Sequence, residues 1–119
     1  TRLQAREELR APALADLLAL DDAAFRALFA ASPVKRIGHA RFLRNVLIAA
    51  GNSALPELLP LIESRLDAPE ALIRGAAVWA LRRLAPDRSK ALKLAFYGEE
   101  RDTSVQAEWN AVVQPARAN

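Results

Sequence analysis

The stretch Leu72-Ile73-Arg74-Gly75-Ala76-Ala77-Val78-Trp79-Ala80-Leu81 decides the fold. Its apolar residues Ile73, Ala76, Ala77, Ala80, Leu81 and, one turn on, Leu84 recur at the three- and four-residue spacing of a single helix face. The pattern has counterparts on either side. Thirty residues earlier, Leu43-Arg44 precedes Val46, Leu47 and Ala50 in the same register. Thirty-two residues later, Val105-Gln106 precedes Trp109 and Val112. The third copy departs from the other two, with Gln106 in place of the arginine and Glu108 in place of Ala76. A repeat of this length, each unit closed by Asp or Pro, is the mark of stacked helix pairs, in which neighbours bury a face that no pair can bury alone. The alternative is an irregular helical bundle whose periodicity is coincidental.

The rest of the sequence extends this reading. Of 119 residues, 26 are Ala and 19 Leu, whereas Val, Ile and Thr together number 12, which favours helix over any sizeable sheet. The expected fold is all-α, a HEAT-like α-solenoid of two to three antiparallel helix pairs over 21–119, preceded by a lead-in segment, 1–20, that contains Pro12. Within 21–119, helices are expected over 21–31 with Phe25, Leu28 and Phe29 on one face, then over 39–50, 54–66, 70–84 and 88–100. A last one runs from an Asp102 or Ser104 cap to about 113. Pro60 falls inside one of these spans and demands a kink or an offset start. The chain begins Thr1-Arg2-Leu3 and reads as a piece of something longer.

Composition excludes several kinds of chemistry. With no Cys there is no thiol nucleophile, no cysteine-ligated metal and no disulfide, in keeping with a cytoplasmic setting. A single histidine, His39, excludes a multi-histidine metal site; beside the start of the 39–50 helix it reads as a surface or capping residue. The carboxylate neighbours Asp21-Asp22 and Glu99-Glu100 do not face each other on a helix and make no acid–base couple. No catalytic residue is assigned. No apolar run approaches the ~20 residues that span a bilayer.

Charge is distributed unevenly. Residues 23–56 carry Arg26, Lys35, Arg36, Arg41 and Arg44 without one acid, whereas 1–22 are net acidic and 57–119 are balanced. Arg41 and Arg44 lie one helical turn apart, and Lys35 and Arg36 sit in the loop just before, so the four can form one phosphate-binding cluster. The alternative is a solvated face with one salt bridge to Asp21 or Asp22. Arg74, at the repeat position of Arg44, is either a further contact or a structural strut to Glu70 or Asp67. Arg82, Arg83, Arg88, Lys90 and Lys93 form a second basic patch at a helix junction, where opposing the helix dipole is reason enough for their presence. Trp79, off the buried face, can stack on a base or pack within its own repeat; Trp109 reads as core.

Several of these segments taken in order resemble one family. They are Leu20-Asp21-Asp22-Ala23-Ala24-Phe25-Arg26, Ser32-Pro33-Val34-Lys35-Arg36, Arg41-Phe42-Leu43-Arg44-Asn45-Val46, Gly51-Asn52 and the 72–81 helix. Together they are similar to the C-terminal HEAT-like region of epoxyqueuosine reductases over about residues 14–114. The 72–81 helix is generic; the ordered series from Phe25 to Asn45 is the specific part. The resemblance implies a parent enzyme that reduces an epoxide on a modified tRNA anticodon base in queuosine synthesis. It also implies that two [4Fe–4S] clusters and cobalamin are carried by regions N-terminal to this one. The expected function is then a tRNA-binding module without its own redox centre, with the anticodon stem-loop and the parent's catalytic region as partners and no membrane. The competing expectation is a protein–protein scaffold. A scaffold should expose an apolar groove; a tRNA binder should expose a basic stripe without one.

Overall fold

The computed structural model describes residues 2–112, and within them every regular element is helical. The elements are α1 (Arg2–Leu18), α2 (Asp22–Leu28), α3 (His39–Gly51), α4 (Leu59–Glu63), α5 (Ala71–Leu84), α6 (Pro86–Phe96) and α7 (Thr103–Asn110). Short 3₁₀ turns lie at Pro33–Ile37, Pro56–Leu58 and Tyr97–Glu99.

The three copies of the repeat become α3, α5 and α7, and they lie side by side: α3 packs on α5, and α5 on α7. The second face of α5 is covered by α4 and α6, while α1 lies against α3 and α4. The molecule is 21 Å thick along its shortest axis, which accommodates two layers of helices of ~10–12 Å diameter. The periodic residues face inward. Leu43, Leu47, Ala50, Ile73, Ala77, Ala80, Leu81 and Val105 are all within 1% of fully buried. Val112, in register with Ala80, lies beyond the end of α7 and is exposed. The expected end of that helix at 113 falls outside the described residues.

The α3–α5 seam is unusually close. A Cβ placed on Gly51 would stand 2.7 Å from Trp79 Cζ3 and 2.9 Å from the Ala80 Cα, so only glycine permits this approach. A smaller aromatic group fastens α2 to α3: Phe25 is buried with its ring centroid 5.2 Å from Phe29, 5.0 Å from Phe42 and 5.7 Å from His39. Leu28, expected on the same face, instead points to solvent at 60% exposure.

Helix ends follow their local chemistry. Asp21 caps α2 by accepting from the Ala24 amide, and Asp102 caps α7 by accepting from Ser104 and Val105. The expected 54–66 helix is divided: Pro56 opens a 3₁₀ turn, and Pro60 sits in the first turn of α4, where a proline costs little. Pro86 starts α6 at its first position, two residues earlier than expected. Residues 2–18 form one helix with Pro12 inside it. Its last turn joins the common core through Leu18, with Leu14, Ala15 and Leu17 against it, and the Arg65 guanidinium donates to the carbonyls of Leu18 and Leu20.

Candidate nucleic-acid interface

Two kinds of arginine occupy this surface. The first kind is internally engaged. Arg74, one turn into α5, donates from Nε and Nη2 to the two carboxylate oxygens of Glu100, each at 2.9 Å, and from Nη1 to the carbonyls of Ala68 and Pro69. The Glu100 side chain is only 8% exposed. The Arg74 bond holds its carboxyl below the ordinary range against the opposing effect of burial, and the Arg74 guanidinium is raised in turn. Gln106, the same position in the third copy, donates to the Glu100 carbonyl at 2.6 Å. The strut is real, but its carboxylate is Glu100, 26 residues away, and not the nearby Glu70 or Asp67.

The second basic patch is divided in the same way. Arg82 pairs with Glu108 at 3.0 Å and Arg88 with Glu63 at 2.8 Å. The Arg83 guanidinium lies 5.1 Å from the centroid of the Trp79 ring, and Lys93 Nζ 5.1 Å from that of Tyr97. Lys90 is exposed beside them. Trp79 also packs against Gly51 across the α3–α5 seam. Trp109 is buried and stacks on Phe96.

The other kind is unpaired. Among the described residues, Lys35, Arg36, Arg41 and Arg44 make no ion pair. Lys35, Arg36 and Arg41 are exposed and Arg44 is half-buried. Asp22 pairs with Arg26 and Asp21 caps α2, so neither acid neutralises the cluster. Arg44 reaches only its neighbour, with Nε and Nη2 3.4 and 3.3 Å from Asn45 Oδ1. The repeat explains why. Glu100, the partner of Arg74, stands six residues before Gln106; the residue six before Arg74 is Ala68, so Arg44 meets no equivalent acid. His39 is not a cap: Gly38, at φ +82°, takes that place, and the half-buried imidazole Nε2 lies 2.7 Å from the Leu20 carbonyl.

Arg44 also borders a feature that sequence reasoning missed. A groove of about 440 Å³ runs between α3, α5 and α7, with Ile48, Leu72, Gly75 and Trp79 on its walls and floor and Glu108 at its far side. Its lining is predominantly apolar. The absence of side chain at Gly75 and the short side chains of Ala71 and Ala76 were the available signal. Exposed basic side chains and an apolar groove thus occur in the same molecule, with Arg44 at the groove, where the sequence led us to expect one or the other.

Cysteine ligands for an iron–sulfur cluster do not exist in this chain, and no group of three His, Cys, Asp or Glu among the described residues could hold a metal ion. No helix of the described residues is long and apolar enough to cross a membrane.

No family model matches the chain, and no solved structure matches it. Curated relatives do. An epoxyqueuosine reductase of Xanthomonas campestris is 39% identical over 79 residues, 66% of this chain and 22% of that protein. One from Alicycliphilus denitrificans is 35% identical over 85 residues, 65% of this chain and 24% of that protein. One from Escherichia coli is 36% identical over 77 residues, 64% of this chain and 20% of that protein. The chain thus spans about a fifth to a quarter of the length of the curated relatives it matches. Over about two thirds of its own length, the chain is homologous to a part of the epoxyqueuosine reductases.

Proposed function

We propose that this chain is the C-terminal, tRNA-binding region of an epoxyqueuosine reductase, serving queuosine biosynthesis in the cytoplasm, and that α3, α5 and α7 are successive turns of a HEAT-like solenoid. The parent's N-terminal catalytic region would supply the redox chemistry, and this region would hold the anticodon stem-loop by its phosphates. The observation that carries the reading is the contrast between arginines. Arg74, Arg82 and Arg88 are matched to carboxylates, whereas Lys35, Arg36, Arg41 and Arg44, close together in the sequence, make no ion pair among the described residues. Arg41 and Arg44 share one side of α3, and the arginine fork suits two phosphate oxygens at once. On this reading Arg74 braces the fold beside the interface and does not touch RNA.

The test is the salt dependence of tRNA binding by the parent protein. Each neutralised phosphate contributes a log–log slope of about −0.7 to −0.9. Replacing Arg41 and Arg44 together by Ala should weaken binding and flatten the slope by roughly 1.5 units. Unchanged affinity and slope would remove these residues from the interface. A second reading, a docking site for another protein, is favoured by the apolar groove beside the strip.

A further inference from the structure

We infer that the groove between α3, α5 and α7 takes one unpaired nucleotide of the bound RNA, its base in the apolar trough and its phosphate on Arg44; this rests on the tRNA-binding reading above. Shape and charge both point to a nucleotide. A nucleotide joins a flat, largely apolar body to an anion, and the groove offers the matching pair. Leu72, Gly75 and Trp79 supply the apolar walls and floor, while Arg44 at the rim has no carboxylate partner among the described residues. The acid on the opposite side, Glu108, is already engaged by Arg82 at 3.0 Å, which leaves Arg44 as the rim charge without an acid partner among the described residues. The volume, about 440 Å³, falls within the ~300–1,000 Å³ of small-ligand sites.

The floor is open because residue 75 has no side chain. A Cβ there would meet only Val105 Cγ2, at 3.7 Å, an ordinary contact. A base can therefore approach the backbone of α5, and the position has room for at least a Cβ. The groove also shares a side of α3 with Arg41. Arg41, Arg44 and Ile48 follow one another at three- and four-residue spacing along α3, so a strand whose phosphates track Arg41 and Arg44 arrives at the trough. A base in a helical stem is held by its stack and cannot enter, whereas a loop base can.

The experiment compares a hairpin RNA with an unpaired loop against a fully paired duplex of equal nucleotide count, binding to the full chain at fixed salt. Stacking and burial of one base should favour the hairpin by about tenfold. Hairpin binding should quench tryptophan fluorescence, and Trp79→Phe should abolish that change. Gly75→Leu fills the trough without altering charge, and Leu72→Trp fills it from an exposed rim position should the first variant fold poorly. Either should reduce hairpin affinity to that of the duplex and leave the salt slope unchanged. Equal affinity of the wild-type chain for hairpin and duplex, or a preference that survives both filled variants, overturns the nucleotide site while the phosphate-binding reading stands. Binding to neither RNA overturns both.

Discussion

Gly51→Ala tests the packing on which the site is built. The added methyl would lie 2.7 Å from Trp79 Cζ3 and 2.9 Å from the Ala80 Cα, inside any normal carbon–carbon contact. The indole is a large, half-buried ring and the second atom is backbone, so neither can yield cheaply. Forcing a methylene into a closed seam costs about 1–3 kcal/mol. The gain from replacing a helical glycine by alanine is at most ~1 kcal/mol, and less at the last residue of α3. The net expectation is a loss of about 1–2 kcal/mol, seen as a fall in Tm of roughly 4–8 °C for a chain of this size. Thermal unfolding followed by circular dichroism measures it. Adding Trp79→Leu to Gly51→Ala should recover part of the loss, because the indole contact goes, but not all, because the Ala80 backbone remains. An unchanged or raised Tm for Gly51→Ala would refute the close α3–α5 seam and the groove geometry that depends on it.

The remaining expectations separate struts from contacts. Arg74→Ala leaves the buried Glu100 carboxylate and two carbonyls without their donor, and should cost about 2–4 kcal/mol in a denaturant titration. Arg88→Ala, by contrast, breaks an exposed pair and should leave Tm within error. Arg44→Ala should lower RNA affinity without lowering Tm; a clear drop in Tm would make it a strut. Glu100 titrates lower in the folded chain than its ordinary value of 4.5, chiefly through Arg74, so the stability it contributes is complete above that value and is lost as pH falls through the folded one. Asp102 is lowered likewise, chiefly through Ser104, and acts in the same direction. Glu100→Gln should therefore flatten the acid limb of a Tm–pH curve without abolishing it.

Much of this architecture was legible because burial in a helix leaves a periodic trace. Leu43, Val46, Leu47 and Ala50, and likewise Ile73, Ala77, Ala80 and Leu81, announced the faces that α3 and α5 bury. Helix limits were less legible where prolines served as starts rather than stops, as at Pro60 and Pro86, because both roles use the same residue. Within the site, the unpaired basic cluster could be read from the absence of acids between 23 and 56. The partner of Arg74 could not. Proximity in sequence favours Glu70 and Asp67, whereas the tertiary packing brings Glu100 across. The groove needed three helices at known separations, which no single segment encodes.

The central position of α5 has a kinetic consequence. It is flanked by α3 and α7 on its two sides and touched by α4 and α6 on a third. It has more α-helical neighbours than any other element among the described residues, whereas α2 is held to α3 mainly through the Phe25 aromatic group. Native-state hydrogen exchange should therefore be graded, with α2 opening in local fluctuations and α5 only on global unfolding. The groove sits on that gradient. Its wall from α5 belongs to the expected slowest-opening part of the chain, and its wall from α7 to a helix whose main neighbour is α5, so a ligand lying between them should register as slowed exchange in α7.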